Sequence, residues 1–155
     1  MRIGIGYDLH RLVSDRPFIM GGVTIEHDKG PEGHSDGDAL CHAIADALLG
    51  AAGLGDIGLW FPPDDPKFKN AHSLSLLVKI ALAVREKGYE IANIDSVVIC
   101  EKPKLSPHYQ LMRQRLAEVL GVGEDRVSVK ATTNEKLGEI GSGLAVAAQA
   151  VALLE

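Results

Sequence analysis

The sequence is poor in cysteine: Cys41 and Cys100 are the only two, with no C-x-x-C pair. That argues against a disulfide scaffold and suits a reducing compartment. It also lacks a basic surplus, because 16 Lys and Arg stand against 21 Asp and Glu, a net charge of −5. Nucleic-acid binders normally carry a basic excess or stripe, so that class is disfavoured. No long apolar run is present. The longest low-charge stretch, Gly141 to Leu154, contains Gln149 and falls short of the ~20 residues a membrane helix needs. Met1-Arg2-Ile3-Gly4 enters an alternating pattern at once, without the apolar core of a signal peptide. The Walker pattern G-x-x-x-x-G-K-[ST] is missing as well, which leaves a P-loop nucleotide site unsupported. The class that remains is a soluble cytoplasmic enzyme or binding domain.

What is there fits one domain: 155 residues, 46% of them apolar, enough to bury ~70% of the extended-chain surface without a staple. Ile3, Ile5 and Tyr7 alternate with Gly4, Gly6 and Asp8, which predicts a strand ending at Asp8-Leu9-His10. Phe18 to Ile25 reads as extended around Gly21-Gly22, and Asp28 to Gly37 as a polar loop. Ser35 with Asp38 three residues on predicts the cap of a helix running to about Ala52 and stopping at Gly53 or Gly55. On that helix Leu40, Ala43, Ile44, Ala47, Leu48 and Ala51 share the core arc, while Asp38, His42 and Asp46 recur on a second arc with Ala45 and Leu49. Pro62, Pro63 and Pro66 predict a loop from Asp56 to Pro66, with Trp60 and Phe61 as a packed lid or interface. Further helices are predicted over Ser73 to Lys87 and from Ser106-Pro107 to Gly121, and strands over Ile94 to Cys100 and Val127 to Ala131. The alanine-rich segment Gly143 to Leu154 also alternates and is assigned to a strand buried on both faces. The expected architecture is a single α+β domain over residues 1–155, a mixed β-sheet with three main helices packed on one face.

Residues i and i+2 of a strand point to one side with Cβ atoms roughly 6–7 Å apart, so Asp8 and His10 can converge on one ion. His42 is the natural third ligand, being the one histidine on the first long helix and on its polar arc. Two imidazoles, one carboxylate and an open fourth position suit a catalytic zinc. A solvent-facing pair and an ordinary half-buried helix histidine are the plainer readings of each residue taken alone. His34-Ser35 precedes a helix whose N-terminus favours anions, although Asp36 and Asp38 can occupy that role themselves. The stretch Lys130-Ala131-Thr132-Thr133-Asn134-Glu135-Lys136-Leu137-Gly138 offers hydroxyls for phosphate and, at Glu135, an oxygen ligand for Mg²⁺; a polar turn is the alternative. Lys102-Pro103-Lys104 is a further basic loop, His27 and His72 are expected in solvent, and His108 stays unassigned.

These blocks, in this order, resemble the 2-C-methyl-D-erythritol 2,4-cyclodiphosphate synthase family of the non-mevalonate isoprenoid pathway. The resemblance rests on Asp8-x-His10, His34-Ser35-Asp36-Gly37-Asp38 with His42, Leu54-Gly55-Asp56-Ile57-Gly58, Pro103-Lys104 and Thr132-Thr133-x-Glu135-Lys136-Leu137-Gly138, and spans essentially the whole chain. It implies conversion of 4-diphosphocytidyl-2-C-methyl-D-erythritol 2-phosphate to the cyclodiphosphate with release of CMP. It further implies a homotrimer, with sheets about the three-fold axis and active sites between subunits, and a cytoplasmic or plastid-stromal location. By the same resemblance zinc belongs to Asp8, His10 and His42, and Mg²⁺ or Mn²⁺ to Glu135. His34 and Thr133 become the catalytic pair that stabilises the phosphates in the transition state. Substrate contacts are implied for Asp8, His10, His34, Ser35, Asp56, Ile57, Gly58, Phe61, Asp65, Cys100, Lys104, Leu105, Thr132, Thr133, Asn134 and Glu135.

The chain departs from the family pattern at Phe61-Pro62-Pro63-Asp64-Asp65, where a carboxylate is replaced at Pro63, and at Glu139 and Ser142, which stand where many members carry an aromatic residue and an arginine. Two other functions remain open on the residues alone: a zinc-dependent phosphohydrolase, and a non-catalytic trimeric binding module.

Overall fold

The computed structural model describes residues 1–62, 64–68 and 70–155. A five-stranded sheet in the order β4-β1-β7-β5-β6 forms its spine, built from β1 (Arg2–Ser14), β4 (Lys29–Pro31), β5 (Ile91–Ile99), β6 (Val127–Thr132) and β7 (Ala145–Leu154). A small hairpin, β2 (Phe18–Met20) with β3 (Val23–Ile25), turns at Gly21-Gly22. The sheet is mixed: β5 and β6 run parallel, and β7 is antiparallel to both β1 and β5. The helices are α1 (Ala39–Ala52), α2 (Ile57–Trp60), α3 (Ser73–Glu86), α4 (Tyr109–Leu120) and α5 (Gly138–Gly141). The single α+β domain with a mixed sheet and three main helices is therefore as expected, and the ambiguous alanine-rich segment is a central strand.

Small residues bring α1 onto the sheet. Gly4 and Gly6 of β1 pair with Ala152 and Ala150 of β7, and this row of missing side chains receives the Ala43, Ala47 and Ala51 ridge of α1. A Cβ at Gly4 would stand 2.0 Å from the Ala47 carbonyl oxygen, and one at Gly6 1.9 Å from that of Ala43. Helix backbone thus lies directly on strand backbone. Beyond it, α3 packs on α1 through Leu77, Ile80, Ala81 and Val84, and α4 closes the same side over β6 through Met112, Leu116 and Leu120, all of these side chains being buried. Even Ala45 and Leu49, on the polar arc of α1, are fully buried.

The opposite sheet face is open. Ile3, Ile5, Tyr7 and Leu9 alternate with the buried positions of β1 and are 74%, 65%, 56% and 50% exposed. Neighbouring strands add Val151 and Val97 to that face. Apolar side chains thus dominate that face, with Gln149 between Tyr7 and Val97 and Asp95 beside Val151.

Four sequence expectations need correction. The strand expected over Gly143 to Leu154 is not buried on both faces: Gln149 is exposed and Val151 and Leu153 are half-buried on the open side of the sheet. The first strand does not end at His10; it continues to Ser14 by leaving β7 after Arg11 and pairing with β4, so part of the predicted polar loop is strand. The N-cap of α1 is Asp38, whose side chain accepts the Cys41 N–H at 3.0 Å, and Ser35 lies outside the helix. The predicted loop after Asp56 begins with one helical turn, because the Asp56 side chain caps it by accepting the Leu59 N–H at 3.0 Å and the prolines come only afterwards. The departure at Pro63 lies outside the described residues.

Candidate active site

The helix-to-strand contact that the glycines permit decides where His42 points. Asp8 and His10 follow Gly4 and Gly6 on the same face of β1, and His42 is the residue before Ala43 at the close approach. Asp8 Oδ2 lies 2.7 Å from His10 Nε2 and 2.9 Å from His42 Nδ1, and the two nitrogens are 3.2 Å apart. Among the described residues this is the one cluster of three potential ligands close enough to share a metal ion. A tetrahedral dication with bonds of about 2.0–2.2 Å needs donors about 3.3–3.6 Å apart, which an outward shift of a few tenths of an ångström supplies.

The hydrogen bonds behind the ligands support the same reading. His10 Nδ1 lies 2.5 Å from the Glu32 carbonyl oxygen, a pure acceptor, so Nδ1 carries a proton and Nε2, which donates to Asp8 in the metal-free site, is the nitrogen left to ligate a metal. Burial alone would raise the Asp8 pKa, but hydrogen bonds and charge from His10 and His42 hold it well below the usual carboxylate range. For His10, burial opposes protonation; the hydrogen bond and charge of Asp8 and the bond to Glu32 outweigh it and raise its pKa. Asp46, one turn on from His42, accepts the Ile57 N–H at 2.7 Å and ties α2 to α1. Its pKa is raised, first by burial and then by the charges of Asp56 and Asp8.

A cleft of about 290 Å³ opens beside the triad, lined by His10, Glu32, Gly33, His34, Ser35 and His42 on one side and Ile57, Gly58, Phe61, Phe68 and Leu76 on the other. His34 is exposed, and its carbonyl accepts the Asn70 N–H at 2.7 Å. Arg16 braces this loop by donating to the Gly33 and Ser35 carbonyls at 3.2 and 2.9 Å, a role no sequence pattern signalled. Phe61 packs edge-on against Phe68 and both line the cleft, whereas Trp60, whose Nε1 donates to the Leu54 carbonyl at 2.9 Å, does not; of the pair expected as a lid or interface, only Phe61 faces the cleft. Asp65 accepts the Lys67 N–H at 3.0 Å and is not part of the cleft lining. Asp38 is fully buried and accepts from Gly21 N, Gly22 N and Cys41 N; the anion position at the helix start is filled by the protein itself.

The other predicted residues gather elsewhere. Cys100, Lys104, Leu105, Thr132 and Thr133 line a second cleft of about 520 Å³, and no described residue lines both. Cys100 is buried, its thiol pushed up to about 11 by burial and by the Glu101 charge. Glu135 is exposed at φ +51, its carboxylate accepting the Thr133 hydroxyl at 3.2 Å, and Asn134 accepts no role in either lining. The Glu101 carboxylate braces the same turn by accepting the Asn134 and Lys136 N–H groups at 2.9 and 3.2 Å, and an exposed carboxylate such as Glu135 suits Mg²⁺, which is commonly held by one or two carboxylates together with substrate phosphates. His72 is exposed as expected, whereas His27 is half-buried against the Phe18 ring.

Two familiar spacings occur near the site without their structural context. Gly33-x-Ser35-x-Gly37 sits in a loop and not on a strand-to-helix elbow, and Gly53-x-Gly55-x-x-Gly58 follows a helix and not a strand.

Residues 1–155 match the family model described as YgbB family. A 2-C-methyl-D-erythritol 2,4-cyclodiphosphate synthase of Thermosynechococcus vestitus is 56% identical over 155 residues, covering 100% of this chain and 96% of that protein. The bifunctional enzyme IspD/IspF of Desulforudis audaxviator is 57% identical over 152 residues, which are 98% of this chain and 39% of the relative. A solved 2C-methyl-D-erythritol-2,4-cyclodiphosphate synthase described as its CDP-bound form superposes with a TM-score of 0.91 at 38% identity, covering 99% of this chain and 100% of the other.

Proposed function

The chain belongs to the YgbB family and acts as a 2-C-methyl-D-erythritol 2,4-cyclodiphosphate synthase, and we propose from that premise how its residues carry out the reaction. The substrate is 4-diphosphocytidyl-2-C-methyl-D-erythritol 2-phosphate. An oxygen of the 2-phosphate forms a bond to the β-phosphorus, and the bond from that phosphorus to the bridging oxygen of the α-phosphate breaks. CMP leaves with the bridging oxygen and its electron pair. The nucleophile is already an oxyanion, so the protein has to position and neutralise, and needs no general base.

The observation that carries this reading is the Asp8, His10 and His42 triad, three ligand atoms 2.7–3.2 Å apart beside the His34-Ser35 loop. Bound by these residues, Zn²⁺ would supply Lewis acidity at the β-phosphate, as Mg²⁺ or Mn²⁺ at Glu135 would supply positive charge to the diphosphate. His34, held by Arg16 and Asn70 through the loop backbone, orients phosphate oxygens from the cleft side, and Ser35 adds a hydroxyl. Asp56, Ile57 and Gly58 meet the methylerythritol end, with Phe61 and Phe68 excluding water. Lys104, Leu105, Cys100 and Thr132 hold the cytidine end, and Thr133 stabilises the charge that develops on the phosphates. Asp65 and Asn134 serve the substrate at the rims of the two clefts.

At about 290 Å³ the metal-side cleft lies at the low end of ligand pockets (~300–1,000 Å³), and the nucleotide residues line a different cleft. One substrate has to engage both. A trimer that docks the open face of β1 and β7 about a three-fold axis would set one subunit's triad against its neighbour's nucleotide cleft, and would cover Ile3, Ile5, Tyr7 and Leu9. Two buried thiols and a net charge of −5 suit the reducing cytoplasm, and among the described residues no helix is long and apolar enough to cross a membrane.

Phosphorus NMR of the purified protein with this substrate, Zn²⁺ and Mg²⁺ tests the proposal. Equal amounts of CMP and a cyclic diphosphate are expected, with turnover abolished by chelation and restored by metal. Inorganic phosphate or an open-chain product would establish hydrolysis instead, and full turnover in rigorously chelated protein would overturn the metal assignment.

A further inference from the structure

The metal reading accounts for Nδ1 of His42 and leaves its other nitrogen unexplained. Nε2 lies 2.9 Å from the Ser73 hydroxyl oxygen and 3.2 Å from that of Ser35. Ser73 is the first residue of α3 and is 1% exposed. Its hydroxyl is also hydrogen-bonded to Asp36 Oδ1, while its backbone N–H donates to Asp36 Oδ2 at 2.9 Å. Counting protons fixes the direction of this chain. A carboxylate only accepts, so the single Ser73 hydroxyl proton goes to Asp36. Ser73 Oγ can then only accept from His42, and Nε2 must be the donor. With a proton held on Nε2, Nδ1 is the nitrogen that can give up its hydrogen bond to Asp8 and offer a lone pair to a cation held with Asp8 and His10. The same count excludes a serine-nucleophile reading of Ser35, because a protonated Nε2 cannot take the Ser35 proton.

We infer that Ser73 and Asp36 are positioning residues that act through His42: a carboxylate–hydroxyl–imidazole relay, anchored at the start of α3, sets the His42 tautomer and ring orientation and thereby the affinity of the site for zinc. The relay parallels the Glu32 carbonyl behind His10, so each imidazole of the triad is fixed from its far side. The relay rests on the zinc reading above, and it also ties that site to α3, which forms one wall of the cleft through Leu76.

The test measures the Zn²⁺ dissociation constant by competition with a chromophoric chelator for wild type, Ser73→Ala, Ser73→Thr, Asp36→Asn and His72→Ala. Loss of an outer hydrogen-bond partner typically weakens metal binding about 10–100-fold, and that loss is expected for Ser73→Ala. Ser73→Thr, which keeps the hydroxyl, should bind more tightly than Ser73→Ala. His72→Ala perturbs the same helix start without touching the relay and should match wild type, since His72 is exposed and makes no side-chain capping bond. Asp36 is only half-buried, so Asp36→Asn carries the test if Ser73→Ala fails to fold, with weaker binding expected again. A slowly exchanging His42 Nε2–H resonance in zinc-loaded wild type, lost in Ser73→Ala, is the matching spectroscopic sign. Wild-type zinc affinity in folded Ser73→Ala and Asp36→Asn would overturn the relay alone. Failure of wild type to bind zinc would overturn both the relay and the metal site.

Discussion

Replacing Gly6 with alanine puts a methyl group where α1 already rests on β1. The added Cβ would lie 1.9 Å from the Ala43 carbonyl oxygen and 2.8 Å from the Ala47 nitrogen, and these are backbone atoms that cannot rotate aside. Restoring a tolerable contact of about 3.0–3.4 Å requires the helix to retreat ~1.1–1.5 Å. Overpacking costs ~1–3 kcal/mol, and a backbone obstacle places Gly6→Ala at the upper end. For a domain of this size that lowers the melting temperature by ~6–12 °C. The displacement also carries His42, adjacent to Ala43, away from Asp8. A retreat of ~1 Å exceeds the few tenths of an ångström by which the ligands must adjust to seat a dication, so zinc affinity should drop by at least about a hundredfold. Gly50→Ala in the same helix is the counterpart: its Cβ would meet nothing within 4 Å at an exposed position, and it should stabilise by ~0.5–1 kcal/mol with zinc affinity unchanged. Thermal melts and zinc competition on both variants check the argument. Gly6→Ala with wild-type melting and zinc affinity would refute the close helix-to-strand contact as the element that positions the site.

Asp8→Ala and His42→Ala should reduce CMP release by at least about a hundredfold with the far-ultraviolet dichroism unchanged, since Lewis-acid stabilisation is worth several kcal/mol; activity within tenfold of wild type would contradict the ligand assignment. In metal-free protein the depressed Asp8 pKa contributes stability above ~3.9 that is lost as pH falls through the folded value, and the raised His10 pKa contributes stability below ~6.5 that is lost as pH rises through its folded value. The stability difference between wild type and Asp8→Asn, from denaturant titrations of chelated samples, should therefore peak between about pH 4 and 6.5, and a pH-independent difference would refute the coupling. Cys100, pushed up to about 11 by burial and the Glu101 charge, and Cys41, raised well above its ordinary value by burial and Asp38, should resist thiol reagents at pH 8 until denaturant is added. Rapid labelling of the folded protein would contradict that.

How much of this was legible beforehand depended on whether the signal was local. The i, i+2 spacing of Asp8 and His10 and the i, i+4, i+8 arc of α1 are fixed by backbone periodicity, and both features stand in the fold. The meeting of the two was only half readable: Gly4 and Gly6 registered as strand alternation, while their role as a seat for α1 depends on a helix that starts more than thirty residues later. The extension of β1 to Ser14 and the short β4 escaped because a three-residue edge strand, Lys29-Gly30-Pro31, has no periodicity to detect. Asp38 was misplaced by one role, since Ser35 and Asp38 both have cap chemistry and only the tertiary bonds from Gly21 and Gly22 decide between them. Ser73, Asp36 and Arg16 carry no spacing signal toward His42 or the His34 loop, because their links cross between elements. The open face of β1 was visible as alternation, though nothing within one strand says which of its two sides a helix will cover.

The most direct test of the metal-centred account is anomalous diffraction at the zinc edge from crystals grown with zinc. A single peak per subunit, about 2.0–2.2 Å from Asp8 Oδ2, His10 Nε2 and His42 Nδ1, is the result the account predicts. A peak held by other residues, or none at these three atoms in zinc-saturated crystals, would contradict it.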